Sequence, residues 1–185
     1  MRYLKKYENR ADIVSICQKY GIEKYTINDD GSMDVDGDVC LYGRGLTKLP
    51  LKFRNIEGYF YCDHNRLTSL EGCPKSMGGG FNCGYNKLMS LEGCPKSVGD
   101  YFYCGYNEIE TFEGLDFVNI CDDFYCSGNP IFNVWLLFWD HTKFEFFNDC
   151  DIIREDRVII LNRLNFFLDY INEPTVTEVD GYRCI

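Results

Sequence analysis

The chain has 185 residues, 45% hydrophobic and 26% charged, with a formal net charge of -10 and a pI near 4.7. That balance suits one globular or solenoid domain, and it disfavours nucleic acid and anionic membranes as partners, because no Lys/Arg run offsets the negative field. Met1 to Ala11 has no apolar core of signal-peptide length, and no apolar stretch is long enough to span a bilayer. Eleven cysteines are an odd number, and without an Asn-x-Ser/Thr sequon or an export signal they predict reduced thiols in the cytoplasm.

Residues 12–20 place Ile13, Ile16, Cys17 and Tyr20 on one face, with Asp12 able to cap the start and Gly21 the end, which predicts a short amphipathic helix. Its expected role is to cover the open apolar end of a solenoid. Tyr25, Ile27, Met33 and Val35 then alternate with polar residues around Asn28-Asp-Asp-Gly31 and Asp36-Gly37, predicting short strands and tight turns. The acidic run from Asp29 to Asp38 lacks the ligand spacing and closing Glu of a calcium loop, so no calcium site is expected.

From Val39 the chain repeats with a period of about 21 residues. Equivalent positions form apolar columns. The first is Val39, Phe60, Phe81, Phe102 and Phe124, and the second is Leu41, Cys62, Cys83, Cys104 and Cys126. Further along each copy come Leu46, Leu67, Leu88, Ile109 and Ile131, then Leu49, Leu70, Leu91, Phe112 and Val134, then Ile56, Met77, Val98 and Ile120. Phe-x-Cys alternates with period two, so both side chains enter the core of a strand while the residue between them faces out. Successive copies then stack as a parallel sheet about 4.8 Å apart. An Asn column, Asn65, Asn86, Asn107 and Asn129, is replaced by Arg44 in the first copy. Asn offers both a donor and an acceptor to turn groups that no ladder satisfies.

This pattern, apolar-x-apolar-x-x-Asn-x-apolar-x-x-apolar, resembles the strand-and-turn segment of leucine-rich repeats, with Phe and Cys where Leu is usual. With the stretch Leu67-Thr-Ser-Leu-Glu-Gly-Cys-Pro74 it is most similar to the Cys-containing leucine-rich-repeat-like proteins encoded by bacteriophages, over roughly residues 25–134. Two features depart from the family: the four-residue step from Met77 to Phe81, where three is usual, and the lack of a long helical segment on the convex side. The resemblance implies a leucine-rich-repeat-like solenoid, a short parallel β-sheet of stacked repeats with an N-terminal helical cap and a helical C-terminal cap. It also implies a protein that binds a host factor and antagonises an antiviral defence.

After Asn129-Pro130 the period ends. Ile131 to Trp139 is apolar all round and is expected to pack on the last repeat. Lys143 to Phe147 adds aromatics, and Ile160, Leu164, Phe167, Leu168 and Ile171 share one face of a helix within 156–171, ended by Pro174. The expected organisation is an N-terminal cap over 1–38, a solenoid over 39–131 and a C-terminal cap over 132–185 with a final extended segment from Thr175.

Catalytic and metal chemistry find little support. No Cys-x-x-Cys pair exists, and the closest pair, Cys121 and Cys126, is separated by four residues, so zinc is not expected. Columns that alternate Cys with Leu, including Cys73 and Cys94 aligned with Leu115, treat Cys as a small hydrophobe. Cys62 and His64 are the one close Cys–His pair, but Cys62 belongs to a core column and His64 to the turn. Gly78-Gly-Gly80 precedes a strand and lacks the Lys-Ser/Thr of a phosphate loop. No cofactor is expected.

The outward positions are more informative. Tyr61, Asn82, Tyr103 and Tyr125 lie between the paired core residues, with Asp63, His64, Tyr85 and Tyr106 nearby on the same side. Exposed Tyr gives a large rigid contact with one polar tip, and acidic Asp63, Glu108 and Glu110 suit a basic partner. These eight outward residues are the expected partner-binding set of a non-enzymatic protein-interaction module. The alternatives are a structural or virion-associated protein, or an enzyme with its site in the C-terminal cap.

Overall fold

A computed structural model describes residues 10–110, 119–120, 123–130, 152–154, 158–179 and 183–185. Helix α1 (Arg10–Tyr20) buries Ile13 and Cys17. It stops at Gly21, whose φ of 69° turns the chain so that the Ile22 amide donates back to the Cys17 carbonyl at 2.9 Å. Strands β1 (Tyr25–Ile27) and β2 (Met33–Val35) pair antiparallel across the Asn28 to Gly31 turn, as their alternation predicts.

The repeats build a solenoid of parallel strands. One sheet is made of β3 (Val39–Cys40), β5 (Phe60–Tyr61), β7 (Phe81–Asn82), β9 (Phe102–Tyr103) and β11 (Phe124–Tyr125), in spatial sequence. Phe60 pairs with Phe81, and Phe81 with Phe102, so the columns read from the sequence are the register of the sheet. The expectation of a single sheet needs correction. A second sheet runs along the return path, where β4 (Phe53–Ile56), β6 (Ser76–Met77), β8 (Ser97–Val98) and β10 (Asn119–Ile120) stack parallel beside β2. Parallel pairing therefore already includes Met33 to Val35.

The core between the sheets tracks the repeat. Phe60, Phe81 and Phe102 are wholly buried, as are Leu41, Cys62, Cys83, Cys104, Leu67, Leu88, Leu70 and Leu91. The Phe rings contact one another from rung to rung, with centroids 6.0 Å apart for Phe60–Phe81 and 4.9 Å for Phe81–Phe102. The nine described cysteines are all free thiols. Rungs leave no room for a side chain at the corner glycines: a Cβ on Gly78 would lie 2.3 Å from the Glu57 carbonyl oxygen, and one on Gly99 2.1 Å from that of Gly78.

The acidic run near the N-terminus is consumed by its neighbours. Asp30 accepts from the Ser32 amide and hydroxyl and from Lys52 Nζ, bonds that hold its carboxyl well below the usual range. Asp34 pairs with Arg54 and also accepts from Asn28 and Asn55.

Beyond the repeats, β12 (Ile153–Arg154), β13 (Val158–Ile159) and β14 (Arg183–Cys184) form a small sheet. Helix α2 (Leu161–Tyr170) buries Leu164, Phe167 and Leu168. It is shorter than the pattern over 156–171 suggested, because Val158 and Ile159 pair as a strand. The aromatic stretches Ile131 to Trp139 and Lys143 to Phe147 lie outside the described residues. Among the described residues no helix is long and apolar enough to cross a membrane.

The Asn column clamps each turn across two rungs. Asn86 Nδ2 donates to the carbonyls of Cys62, Cys83 and Gly84 at 3.0 to 3.2 Å, while Oδ1 accepts from the Leu67 amide at 2.9 Å. Asn65, Asn107 and Asn129 repeat the arrangement. Replacing Asn86 by Ala strands these groups in a part-buried turn and should cost about 3 kcal/mol. Asn82, half-buried, accepts from the Gly84 amide within its own turn, so its replacement should cost less than about 1 kcal/mol. Urea melts of the two variants check the register; equal losses would contradict it.

Candidate functional site

The outer face of the Phe–Tyr sheet and its adjoining turns carry an unusual density of aromatic rings, held in two arrangements. The first is a ladder along the turns. Tyr42, His64, Tyr85 and Tyr106 stand one above another, with centroid separations of 4.9, 4.3 and 4.4 Å. The His64–Tyr85 and Tyr85–Tyr106 planes lie within 21° and 13° of parallel. All four side chains are exposed. The last ring rests on Gly128, where a Cβ would lie 2.7 Å from Tyr106 Cδ1.

The backbone beneath this ladder is left-handed. His64, Tyr85 and Tyr106 have φ of 53, 51 and 55°, and the equivalent residues at either end, Gly43 and Gly128, have 64 and 75°. The Asn that comes next draws in the carbonyls two and three residues before it, and the residue between must turn through positive φ to allow this. A side chain there costs roughly 1 kcal/mol or more. Glycine is the unstrained occupant, yet three successive rungs carry aromatic rings. Pairing continues regardless: the His64, Tyr85 and Tyr106 amides donate to the next rung at 3.1, 2.9 and 2.8 Å.

The second arrangement is a platform on the sheet itself. Tyr59 lies across Gly79, where a Cβ would lie 2.8 Å from its ring, and its hydroxyl donates to Asp100 Oδ2 at 2.8 Å. Tyr101 lies across Gly80 in the opposite direction, with three ring atoms 2.8 to 3.0 Å from a Cβ built there. Its hydroxyl is hydrogen-bonded to Tyr61, and burial, the first cause, together with this tyrosine neighbour pushes the Tyr101 phenol up to about 12. Tyr61 lies parallel to Tyr59 within 7°, with centroids 5.9 Å apart. Tyr103 covers Gly84 and is hydrogen-bonded to Tyr85, which joins platform to ladder. Tyr125, 6.1 Å from Tyr103, donates to Asp123 Oδ2 at 2.6 Å.

The sequence-derived set is therefore brought onto one face with one correction. Tyr61, Asn82 and Tyr103 are half-buried on their strands, while Tyr125 and the turn residues His64, Tyr85 and Tyr106 are exposed. Asp63 is only 5% exposed. Its Oδ2 sits 2.9 Å from His64 Nδ1, and Oδ1 is buried without a hydrogen-bond partner among the described residues. The rung beside Asp63 carries Asn82 where the equivalent neighbour of Gly84 is Tyr103, so a side chain is accommodated at 63 that a covering ring excludes at 84. Asp63 thus orients His64 and is not an outward acidic contact. The carboxylates that do border the platform are Asp38, Asp100 and Asp123.

Sequence reasoning missed Tyr42, Tyr59 and Tyr101. The column Asp38, Tyr59, Gly80, Tyr101, Asp123 held the signal, since a Gly between two Tyr in register is a floor for a ring. The Cys62–His64 pair is not assembled. Cys62 is wholly buried and desolvation raises its thiol pKa, whereas the His64 ring stands in the ladder. Among the described residues no three His, Cys, Asp or Glu side chains gather as metal ligands would. The chain matches no family model, no curated protein and no solved structure compared with it.

Proposed function

We propose that the chain is a non-enzymatic protein-binding module that engages its partner through the Tyr-rich outer face of the solenoid. The observation that carries this reading is the run of aromatic residues at left-handed turn positions, where the fold alone favours Gly. Strain kept at successive exposed positions points to function, because backbone strain persists where a side chain is needed for something other than folding. Rigid, amphipathic Tyr rings on a regular scaffold are also what protein interfaces enrich.

The finer identity rests on the resemblance to phage-encoded leucine-rich-repeat-like proteins. In that reading helices α1 and α2 belong to end caps, the protein acts in the host cytoplasm, and the partner is a host factor of an antiviral defence with a basic surface. Affinity capture from host cells with the native chain, repeated with Tyr103→Ala, tests it. The partner should be retained by the native protein and by Lys96→Ala on the return path, and lost by Tyr103→Ala, and added salt should slow its association. Retention by Tyr103→Ala would move the site off this face. Copurification with virus particles instead would indicate a structural role.

A further inference from the structure

We propose that the Tyr59–Tyr101 platform is a docking site for arginine side chains of the partner; the inference rests on the outer face being the binding surface. The two rings cross the Gly79–Gly80 backbone with centroids 6.3 Å apart and planes tilted by 41°, and both remain half-exposed, so a cation can reach the π-cloud from the solvent side. Each is tied down at its hydroxyl, Tyr59 to Asp100 and Tyr101 to Tyr61, so little freedom remains to be lost on binding. Donation from the Tyr59 phenol to a carboxylate also makes that ring richer in electrons.

Charge selects the occupant. Along this strip, residues 37–40, 58–61, 79–82, 100–103 and 123–125, there is no Lys, Arg or His, whereas Asp38, Asp100 and Asp123 fall within it. The basic residues nearest in sequence lie beyond the ladder, Arg44 in the Asn column itself and Arg66 and Lys87 one residue past it. Asp38 accepts the Tyr59 amide through Oδ1 at 2.8 Å and Asp100 accepts the Tyr59 hydroxyl through Oδ2 at 2.8 Å. The carboxylates are therefore held at the rim of the rings. A guanidinium is planar, weakly hydrated and forked, so one group can stack on Tyr and meet a carboxylate edge; an ammonium has no face to stack and holds its water more tightly.

The test titrates the native chain with acetyl-hexaarginine amide and with acetyl-hexalysine amide, of equal charge, following ring-proton shifts by NMR. The arginine peptide should bind at least about tenfold more tightly. Tyr101→Leu and Asp100→Asn should each weaken it about tenfold. Gly80→Ala should do the same while retaining the fold, because the three atoms nearest the added Cβ all belong to the Tyr101 ring and none to the backbone. Glu71→Gln combined with Glu92→Gln, on the return path, removes more charge than Asp100→Asn and should change nothing. Equal binding of the two peptides, or equal loss from the Glu71/Glu92 variant, overturns the proposal in favour of unspecific attraction to an acidic protein. If the arginine peptide fails to bind while Tyr103→Ala still abolishes partner capture, only the arginine site falls. If the peptide binds as expected but capture survives Tyr103→Ala, it is the wider binding face that falls.

Discussion

Raising the pH from 9 to 10.5 should unfold the protein far more steeply than a domain of its size ordinarily unfolds in alkali. Cys62, Cys73, Cys83 and Cys104 are buried, and desolvation, the first cause for each, raises their thiol pKa values above the ordinary 9.0. In the unfolded chain the same thiols ionise near that ordinary value. The folded state therefore holds protons that the unfolded state releases, and its advantage is whole below pH 9 and shrinks as pH rises above it. Well above pH 9 each such thiol contributes about 1.4 kcal/mol per pH unit, and the four together about 5.5 kcal/mol per pH unit, so that one unit removes as much as the whole stability of a small domain. Urea midpoints measured against pH under reducing conditions give the slope. A variant with Cys62, Cys83 and Cys104 replaced by Ala should be less stable at pH 7 but distinctly flatter in alkali. Among the described thiols, exposed Cys40 should react first with a thiol reagent in the native state. A slope unaffected by the triple substitution would show that water reaches these thiols in the fold.

The core column that sets this behaviour is legible in the sequence because Phe-x-Cys recurs in register with an Asn three residues after the Cys. Period, core and turn chemistry then all constrain one another. The second sheet was not legible. Ser76-Met77 and Ser97-Val98 each offer a single polar-to-apolar step, too short for a periodicity, and their strand character comes from pairing with the rungs on either side. The candidate site divides the same way. That Tyr61, Tyr103 and Tyr125 face outward is a consequence of alternation along a strand. That Tyr59 and Tyr101 cross the neighbouring backbone depends on glycines one rung away, and that Asp63 turns inward depends on Asn82 replacing a Tyr in the neighbouring rung. Neither can be read within one copy of the repeat, because both are relations between copies.

Replacing Tyr85 and Tyr106 together by Gly should leave the solenoid folded and remove most of its affinity for the partner. The fold itself shows that Gly is accepted here, since Gly43 and Gly128 occupy the equivalent positions with φ of 64 and 75°. Glycine relieves the left-handed strain of roughly 1 kcal/mol at each site, while losing the ring contacts with His64 and between the two tyrosines, worth about 0.5 to 1.5 kcal/mol each. The two effects nearly cancel, so the unfolding free energy from urea melts should change by less than about 1 kcal/mol. Binding has no such compensation. Losing central aromatic contacts commonly removes 2 kcal/mol or more, a loss of about thirtyfold in affinity. The corresponding Ala variant keeps the left-handed strain and loses the rings, so it should bind as poorly and be less stable than the Gly variant. That ordering separates the two roles the ladder could play. If the Gly variant unfolds, the rings are there to hold the turns; if it folds and still binds the partner with native affinity, the ladder is not the site.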